Sequence, residues 1–337
     1  MMHEMTSETQ AAIKKATEEF SRDTLIASGK KVSDRYRSQM GERKRLNKLQ
    51  EAAAYAVSRM PATYGAAHFA LTQSLQAAGI SQIRTCLDCG CGTGAVTLAA
   101  TDILQPEKLF LLEREPAMAE ICRRILDEKQ IRPMWLENSL FDAELPSCEL
   151  VTEGYMLVEL PEQARIPAVL KMWDAASEML VLIEPGTPEG FSVIQMAKKV
   201  LAEMAYLAAP CAADHCPMER DDWCHFAVRI SRDQLHKQIK SGSAPYEDEK
   251  FCYAAFSRKV PPFRTQSRIL RHPLIFPGKI TAEMCTADGI VQKVFTKKDP
   301  LWKRVRKIKW GDSLEMLPDS DMAQCRADGI KKDRSNN

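Results

Sequence analysis

A glycine-rich turn constrains the fold more than any other segment of this chain. Residues 87–94 read LDCGCGTG, follow an apolar run typical of a buried β-strand and precede a segment with helical periodicity. Three glycines at alternate positions allow a tight turn and a close approach of the backbone to a ligand, where any Cβ would collide. A strand, such a turn and a helix in this order predict the carboxyl edge of an open parallel sheet, where α/β proteins bind ligands.

Apolar runs and helical segments continue to alternate beyond the turn. The runs lie at 85–89, 108–113, 149–160 and 179–184. Their alternation with helices predicts an α/β fold with a parallel sheet. Spacings of three and four between apolar residues predict helices before the sheet, and short β-like pieces with glycines predict a small β-rich module after it. We divide the chain into a helical N-terminal extension at 1–80, a sheet domain at 81–207, a cysteine-rich loop with a β-rich C-terminal module at 208–312, and a polar tail at 313–337.

The composition is that of an ordinary globular protein. Hydrophobic residues make up 45% and charged residues 27% of the 337 residues, which excludes disorder over the whole length and a collagen-like fibre. No apolar stretch approaches the ~18–20 residues that span a bilayer, and residues 1–10 lack the apolar core of a signal peptide. We therefore expect a cytoplasmic protein with no membrane partner, and we favour a monomer.

Two acidic residues accompany the glycine-rich turn. Asp88 ends the first strand two residues before the first glycine, and Glu113 ends the second strand, where it can accept hydrogen bonds from ribose hydroxyls. The GxGxG spacing with a preceding acid resembles motif I of the class I S-adenosylmethionine-dependent methyltransferases. The resemblance implies a Rossmann-like sheet and an adenosylmethionine site lined by Asp88, Gly90, Gly92, Gly94 and Glu113, with Asp142 as a further candidate near the adenine. A tight turn without a ligand and a dinucleotide site are the alternatives.

No catalytic residue can be assigned from the sequence. Base-amino methyltransferases carry an Asn/Asp-Pro-Pro-aromatic motif after the fourth strand, whereas residues 153–156 read EGYM. The Pro-Cys dipeptide of carbon-5 cytosine enzymes occurs at Pro210 and Cys211, but within a cluster of cysteines, so a ligand role is preferred for Cys211. Whether the chain is an enzyme is therefore left open.

The chain has eleven cysteines, and three of them lie close together in sequence. Cys211, Cys216 and Cys224 are spaced C-x4-C-x7-C, which places soft thiolates in one loop. Such a loop suits zinc or an iron–sulfur cluster, and both usually take four protein ligands at a structural site. The candidates for the fourth ligand are Cys252, Cys285, His215 and His225. The alternative is that these cysteines are unrelated buried side chains.

The net charge of +2 conceals two strongly basic segments. Residues 30–48 carry eight Lys/Arg and two acids, and residues 293–309 carry eight Lys/Arg and one acid. This asymmetry indicates surfaces that meet a polyanion such as RNA, with Tyr36, Trp302 and Trp310 available to stack on bases. The candidate RNA-binding residues are Arg43, Lys44, Arg45, Lys303, Arg304, Arg306 and Lys307. The alternative is a solvated basic face with the aromatic side chains turned inward.

Several segments together resemble one family. They are RMPATYGA at 59–66, the glycine-rich turn, IEPGTPEGF at 183–191, the cysteine block at 209–226 and WGD at 310–312. They resemble the methyltransferase-like assembly factors of the small ribosomal subunit, known from mitochondria and with bacterial relatives.

The resemblance implies a methyltransferase-like protein that binds small-subunit ribosomal RNA and assists subunit assembly and translation. It also implies a 4Fe-4S cluster on four cysteines, which would be Cys211, Cys216, Cys224 and Cys285. Cys252 would then take no part. The alternative function is a methyltransferase acting on a small molecule or a protein, with zinc in the cysteine loop.

Overall fold

In the part of the chain that the structure describes, four helices precede the first strand. The computed structural model describes residues 4–37, 48–137, 139–218, 222–240 and 243–315, without the side chains of 35–37. The helices are α1 (Ser7–Ala16), α2 (Arg22–Arg37), α3 (Leu49–Ser58) and α4 (Met60–Ala78). Thr6 caps α1 by accepting a hydrogen bond from the Thr9 N–H, and Gly79 ends α4 in the left-handed conformation (φ 67°). The predicted N-terminal helical extension is therefore present.

The main sheet confirms the predicted α/β class. Its strands are β1 (Thr85–Cys89), β2 (Lys108–Leu112), β3 (Met134–Leu136), β4 (Cys148–Gly154), β5 (Ala176–Pro185), β6 (Tyr206–Ala209), β7 (Phe226–Ser231) and β8 (Tyr246–Ser257). The order is β3-β2-β1-β4-β5-β8-β6, with β7 also paired to β8. Strands β1 to β5 are parallel, and β8 runs antiparallel to β5, β6 and β7. This is a Rossmann-like sheet with antiparallel strands added at one side.

Helices cover both faces of this sheet. They are α5 (Ala95–Leu104), α6 (Pro116–Glu128), α7 (Glu162–Ala175), α8 (Pro188–Leu201) and the short α9 (Gln234–Lys240), with a 3₁₀ turn at Leu157–Glu159. Helices α4, α5 and α6 pack on one side, and α7 and α8 on the other. None of the described helices is both long and apolar enough to cross a membrane.

The structure divides the C-terminal half differently from our sequence-based boundaries. We assigned 208–312 to a separate module, but β7 and β8 belong to the main sheet, where Tyr253 of β8 pairs with Ile183 of β5. Residues 251–256 are buried on both faces of the sheet. A short apolar run predicts a buried strand but not its neighbour, because pairing depends on contacts distant in sequence.

The β-rich module begins only after β8. It contains β9 (Ser267–Ile269), β10 (Leu274–Phe276), β11 (Lys279–Thr286), β12 (Gly289–Thr296) and α10 (Trp302–Val305). One face of this small antiparallel sheet is covered by α10 and the chain that follows it, around a core that includes Ile280, Met284 and Phe295. The module thus has its own core, and β11 carries Cys285 toward the main sheet.

Candidate functional site

The glycine-rich turn has a backbone that only glycine adopts readily. Gly90, Gly92 and Gly94 have φ values of 73°, 56° and 93°, all in the left-handed region. A Cβ on Gly90 would lie 2.9 Å from the sulfur of Met156, and the N–H groups of Gly90 and Cys91 donate to the Leu112 carbonyl at 2.7 and 3.1 Å. The turn is therefore fastened between β2 and the segment after β4.

Asp88 lies directly beneath the turn. Its carboxylate is fully buried, and it accepts hydrogen bonds from the Thr97 hydroxyl at 2.5 Å and the Thr152 hydroxyl at 2.9 Å. Burial raises the pKa of Asp88 to about 6, although the threonine hydrogen bonds oppose that shift. Asp88 thus links β1 to α5 and β4 below the proposed ligand position.

Glu113 closes the turn from the end of β2. Its two carboxylate oxygens accept the N–H of Gly92 at 2.7 Å and the N–H of Glu115 at 2.8 Å. Burial raises its pKa. Each carboxylate oxygen has a second lone pair, so Glu113 can hold the turn and still accept ribose hydroxyls. Its role in binding a ribose stays a prediction.

The turn also contains a hydroxyl that the sequence analysis overlooked. Thr93 is buried, and its Oγ1 has no hydrogen-bond partner among the described residues. An unpaired buried hydroxyl is costly unless a ligand or water satisfies it. It lies two residues before the first turn of α5, whose free N–H groups favour an anionic ligand group. Nothing in the sequence separates this threonine from an ordinary turn residue.

Asp142 lies in a different groove. It is exposed, and it lines that groove together with Ser147, Lys171 and Asp174. Ser147 immediately precedes β4 and Asp174 lies in the last turn of α7, so the groove is near the amino ends of β4 and β5. Its lining within the described residues includes none of the glycine-rich turn. A role of Asp142 near the adenine stays a prediction.

A second acidic feature lies at the carboxyl ends of β4 and β5. Glu153 and Glu184 are both fully buried, and we call them the acid pair. Glu153 Oε1 accepts the N–H groups of Met156 and Leu157 at 2.6 and 3.1 Å, and Glu184 Oε1 accepts that of Val158 at 3.1 Å. Burial is the main cause that raises the pKa of both groups. Acids at the ends of two neighbouring apolar strands were a signal in the sequence that we did not use.

The four predicted cysteine ligands line one cavity. Cys211, Cys216 and Cys224 come from the loop between β6 and β7, and Cys285 comes from β11. Cys252 of β8 lines the same cavity and donates to the carbonyl of Pro185 at 3.2 Å. Within the described residues, no three His, Cys, Asp or Glu side chains approach closely enough to hold a single metal ion. The thiols surround a space rather than converge on one point.

The cavity also contains a buried cation and a buried hydroxyl. Lys198 is 8% exposed, and its Nζ lies 3.4 Å from the sulfur of Cys211. No carboxylate of the described chain lies within ion-pair distance of this amine. Tyr253 Oη is also buried and has no hydrogen-bond partner among the described residues. A buried ammonium without a counter-charge is unfavourable, so the cavity is suited to an anionic group.

Neither candidate histidine lines this cavity. His215 is exposed. His225 packs between the rings of Trp223 and Trp310, and burial lowers its pKa. Of the candidates for a fourth ligand, Cys252 and Cys285 line the cavity and the two histidines do not; Cys285 as the fourth ligand stays a prediction.

The basic segment at 293–309 is only partly as predicted. Lys303, Arg304, Arg306 and Lys307 are exposed. Trp302 packs against the core of the module, and the Trp310 indole donates to the His225 carbonyl at 2.9 Å, so both aromatic side chains are turned inward. Arg43, Lys44, Arg45 and the side chain of Tyr36 lie outside the described residues.

Sequence comparison relates the chain to known proteins. The profile of a family described as mitochondrial small ribosomal subunit Rsm22 matches residues 49–315. The chain is 26% identical over 264 residues to the Homo sapiens mitochondrial ribosome assembly protein METTL17, covering 71% of this chain and 57% of that protein. It is 24% identical over 319 residues to the mitochondrial Rsm22-cox11 tandem protein 2 of Schizosaccharomyces pombe, covering 77% of this chain and 42% of that protein. The chain thus spans about half the length of these curated relatives.

Solved methyltransferase structures also resemble the chain. The N-methyltransferase NodS of Bradyrhizobium japonicum has 13% identity and a TM-score of 0.39, covering 64% of this chain and 99% of NodS. The magnesium protoporphyrin IX methyltransferase of Synechocystis has 13% identity and a TM-score of 0.38, covering 67% of this chain and 94% of the enzyme.

Proposed function

The chain belongs to the Rsm22 family, and from this premise we propose that it binds S-adenosylmethionine and assists assembly of the small ribosomal subunit by contacting its ribosomal RNA. One observation carries the proposal. The family match at 49–315 takes in the glycine-rich turn, all four predicted cysteine ligands and the basic segment 293–309. The cytoplasmic location and the monomeric state stay predictions.

Three features of the glycine-rich turn support adenosylmethionine as its ligand. The left-handed glycines present no Cβ to a ligand, and Glu113 retains lone pairs for ribose hydroxyls. Thr93 offers a buried hydroxyl without a partner among the described residues. When bound, the cofactor would supply an activated methyl group. The chain's own residues would bind and orient it through Glu113, Thr93 and the first turn of α5.

We further propose that Cys211, Cys216, Cys224 and Cys285 hold a 4Fe-4S cluster. The cluster fits the cavity for two reasons. Its thiolate-ligated core is an anion, for which Lys198 supplies a buried counter-charge. In addition, each thiolate binds a separate iron, which suits thiols arranged around a space, whereas zinc needs four ligands within about 2.3 Å of one ion. The cluster would join the β-rich module to the main sheet and has a structural role.

The exposed cations of α10 and the residues after it support contact with RNA. Four of them, from Lys303 to Lys307, face solvent on one short helical segment, where they can meet phosphates. Because Trp302 and Trp310 are turned inward, this segment would contact the RNA backbone and would not stack on bases.

The proposal is tested by co-sedimentation of the full chain with purified small ribosomal subunits. We expect co-sedimentation that decreases with salt, and a variant with Glu at Lys303, Arg304, Arg306 and Lys307 to bind at least ~10-fold more weakly with a flatter salt dependence. The control reverses four exposed cations elsewhere: Lys14, Lys108, Arg132 and Lys259. Equal losses in both variants, or no binding by the wild type, would contradict the proposal.

The cluster is tested separately by anaerobic purification followed by iron, sulfide and zinc analysis. We expect about four irons and four sulfides per chain. Stoichiometric zinc without iron would overturn the cluster assignment and leave the RNA proposal intact.

A further inference from the structure

A proton shared between the two carboxyl groups would satisfy the acid pair, Glu153 and Glu184. Each Oε1 accepts backbone N–H groups from residues 156–158. The two Oε2 atoms are buried and have no hydrogen-bond partner in the described chain. The two side chains lie on the same face of neighbouring strands, because Glu153 pairs in register with Leu182, two residues before Glu184. One shared proton satisfies both Oε2 atoms. The pair then carries one negative charge, and it carries two after the proton leaves.

The carboxylates near the acid pair add negative charge, and the nearby thiols stay neutral because burial raises their pKa. The charge of Asp88 on β1 raises the pKa of Glu153, and the charge of Glu159 in the 3₁₀ turn raises the pKa of Glu184. The thiols of Cys89 on β1 and Cys252 on β8 also face the pair. The positive charge of Lys171 on α7 opposes the rise in the pKa of Cys89. Across the described ranges, neither Glu153 nor Glu184 forms an ion pair with a Lys, Arg or His.

This uncompensated charge lies next to the glycine-rich turn. Glu153 pairs in register with Cys89, the residue before Gly90. Met156, whose N–H is held by Glu153, packs its thioether against Gly90. Met156 therefore contacts both sides, Glu153 through its N–H and the glycine-rich turn through its thioether.

We propose that the acid pair makes this site select S-adenosylmethionine, whose sulfonium is a cation, over S-adenosylhomocysteine, whose sulfur is neutral. The inference rests on the cofactor proposed above. A negative charge in a poorly solvated site stabilises a nearby cation far more than it does in water. Selectivity therefore increases with pH, because the charge of the pair doubles when the shared proton leaves.

The test is isothermal titration of the full chain with each of the two ligands at about pH 6 and about pH 8. We expect S-adenosylmethionine to bind roughly 10-fold more tightly than S-adenosylhomocysteine at the higher pH and to be favoured less at the lower pH. The α-amino groups of the free ligands also titrate, so the pH dependence of the ratio is read against that of Glu153→Gln, in which the ligands' own contribution is the same.

Three variants make the test specific. Glu153→Gln fixes the pair at one negative charge, because the amide can donate to the remaining carboxylate, so the ratio should keep only the ligands' own pH dependence. The double variant Glu153→Gln with Glu184→Gln should bring the ratio close to one while binding of S-adenosylhomocysteine persists. Glu162→Gln, an exposed change at the start of α7, should behave as the wild type.

Equal affinity of the wild type for both ligands at both pH values would overturn the inference and leave the cofactor proposal standing. An unchanged preference for S-adenosylmethionine in the double variant would also overturn the inference and leave the cofactor proposal standing. Failure to bind either ligand would overturn the cofactor proposal itself. The wild-type pH dependence, read against that of Glu153→Gln, decides the matter even if the double variant does not fold.

Discussion

The two candidate ligand sites are both buried, but their unbalanced charges have opposite signs. The carboxyl edge of the sheet concentrates Asp88, Glu153 and Glu184, and in the described chain no cation pairs with them. The cysteine cavity contains Lys198, which has a thiol but no described carboxylate beside it. Buried charges are normally paired, so an unpaired one favours a ligand of the opposite charge. The first site suits a sulfonium cation, and the second suits an anionic cluster.

The two sites share the turn that joins β5 to α8. Glu184 in this segment supports the 3₁₀ turn beside the glycine-rich turn. Two residues later, the carbonyl of Gly186 accepts the indole N–H of Trp223, the neighbour of Cys224, at 3.0 Å. Helix α8 then carries Lys198 into the cysteine cavity. The segment IEPGTPEGF therefore supplies Glu184 to the carboxyl edge of the sheet. It also begins α8, which places Lys198 in the cysteine cavity.

The largest effect is expected from removing a cluster ligand. Cys285→Ser should abolish iron incorporation and detach the β-rich module from the main sheet, because β11 supplies the one proposed ligand outside the β6–β7 loop. Iron analysis and limited proteolysis measure both consequences. Cys252→Ser is the matched control, since Cys252 lines the same cavity but is not a proposed ligand. Equal iron loss in both variants would contradict the assignment.

Lys198→Met tests the charge of the cysteine cavity. With an anionic cluster in place, loss of the buried counter-charge should lower the free energy of unfolding by about 1–3 kcal/mol and speed cluster loss. If the cavity held only neutral thiols, removal of an unpaired buried ammonium would stabilise the protein. Denaturant unfolding under anaerobic conditions measures whether the substitution raises or lowers the free energy of unfolding. Lys199→Met on the same helix controls for the loss of a lysine as such.

The acid pair should make stability depend on pH in a predictable direction. Burial raises the pKa of Glu153 and Glu184, so the folded chain holds a proton that the unfolded chain releases. Stability is then greatest at low pH and falls as pH rises from about 5 to about 8, by roughly 2 kcal/mol. Burial raises the pKa of Asp88 to about 6, so Asp88 also makes stability fall as pH rises, but at lower pH than the acid pair. Glu153→Gln should flatten the upper part of this dependence in denaturant titrations, whereas an unchanged slope would remove the pair as its cause.

Thr93→Val should give the smallest effect. The substitution keeps the shape of the side chain but removes the buried hydroxyl, so the ligand-free protein should be unchanged or more stable by up to ~1 kcal/mol. Binding of S-adenosylmethionine should weaken about 3- to 10-fold. Thr93→Ser, which keeps the hydroxyl, is the control. Equal ligand affinity in all three proteins would show that Thr93 does not contact the cofactor.

Local patterns in the sequence predicted much of the first site. The spacing of Gly90, Gly92 and Gly94 predicts a tight turn, and all three residues have positive φ values in the structure. Asp88 and Glu113 could be placed at strand ends because strand ends are visible in apolar runs. Thr93 and the acid pair were missed, because an unsatisfied hydroxyl or a shared proton is defined by neighbours that are distant in sequence.

Three features follow from local sequence: the turn, the alternation of strands and helices, and the three clustered cysteines. Each depends on residues within about one element of each other. The tertiary structure alone decided that β8 lies between β5 and β6, that Cys285 and Lys198 join the same cavity, and that Trp302 and Trp310 turn inward. These features depend on packing and charge between segments tens of residues apart. Local propensity and periodicity carry no information about such distances.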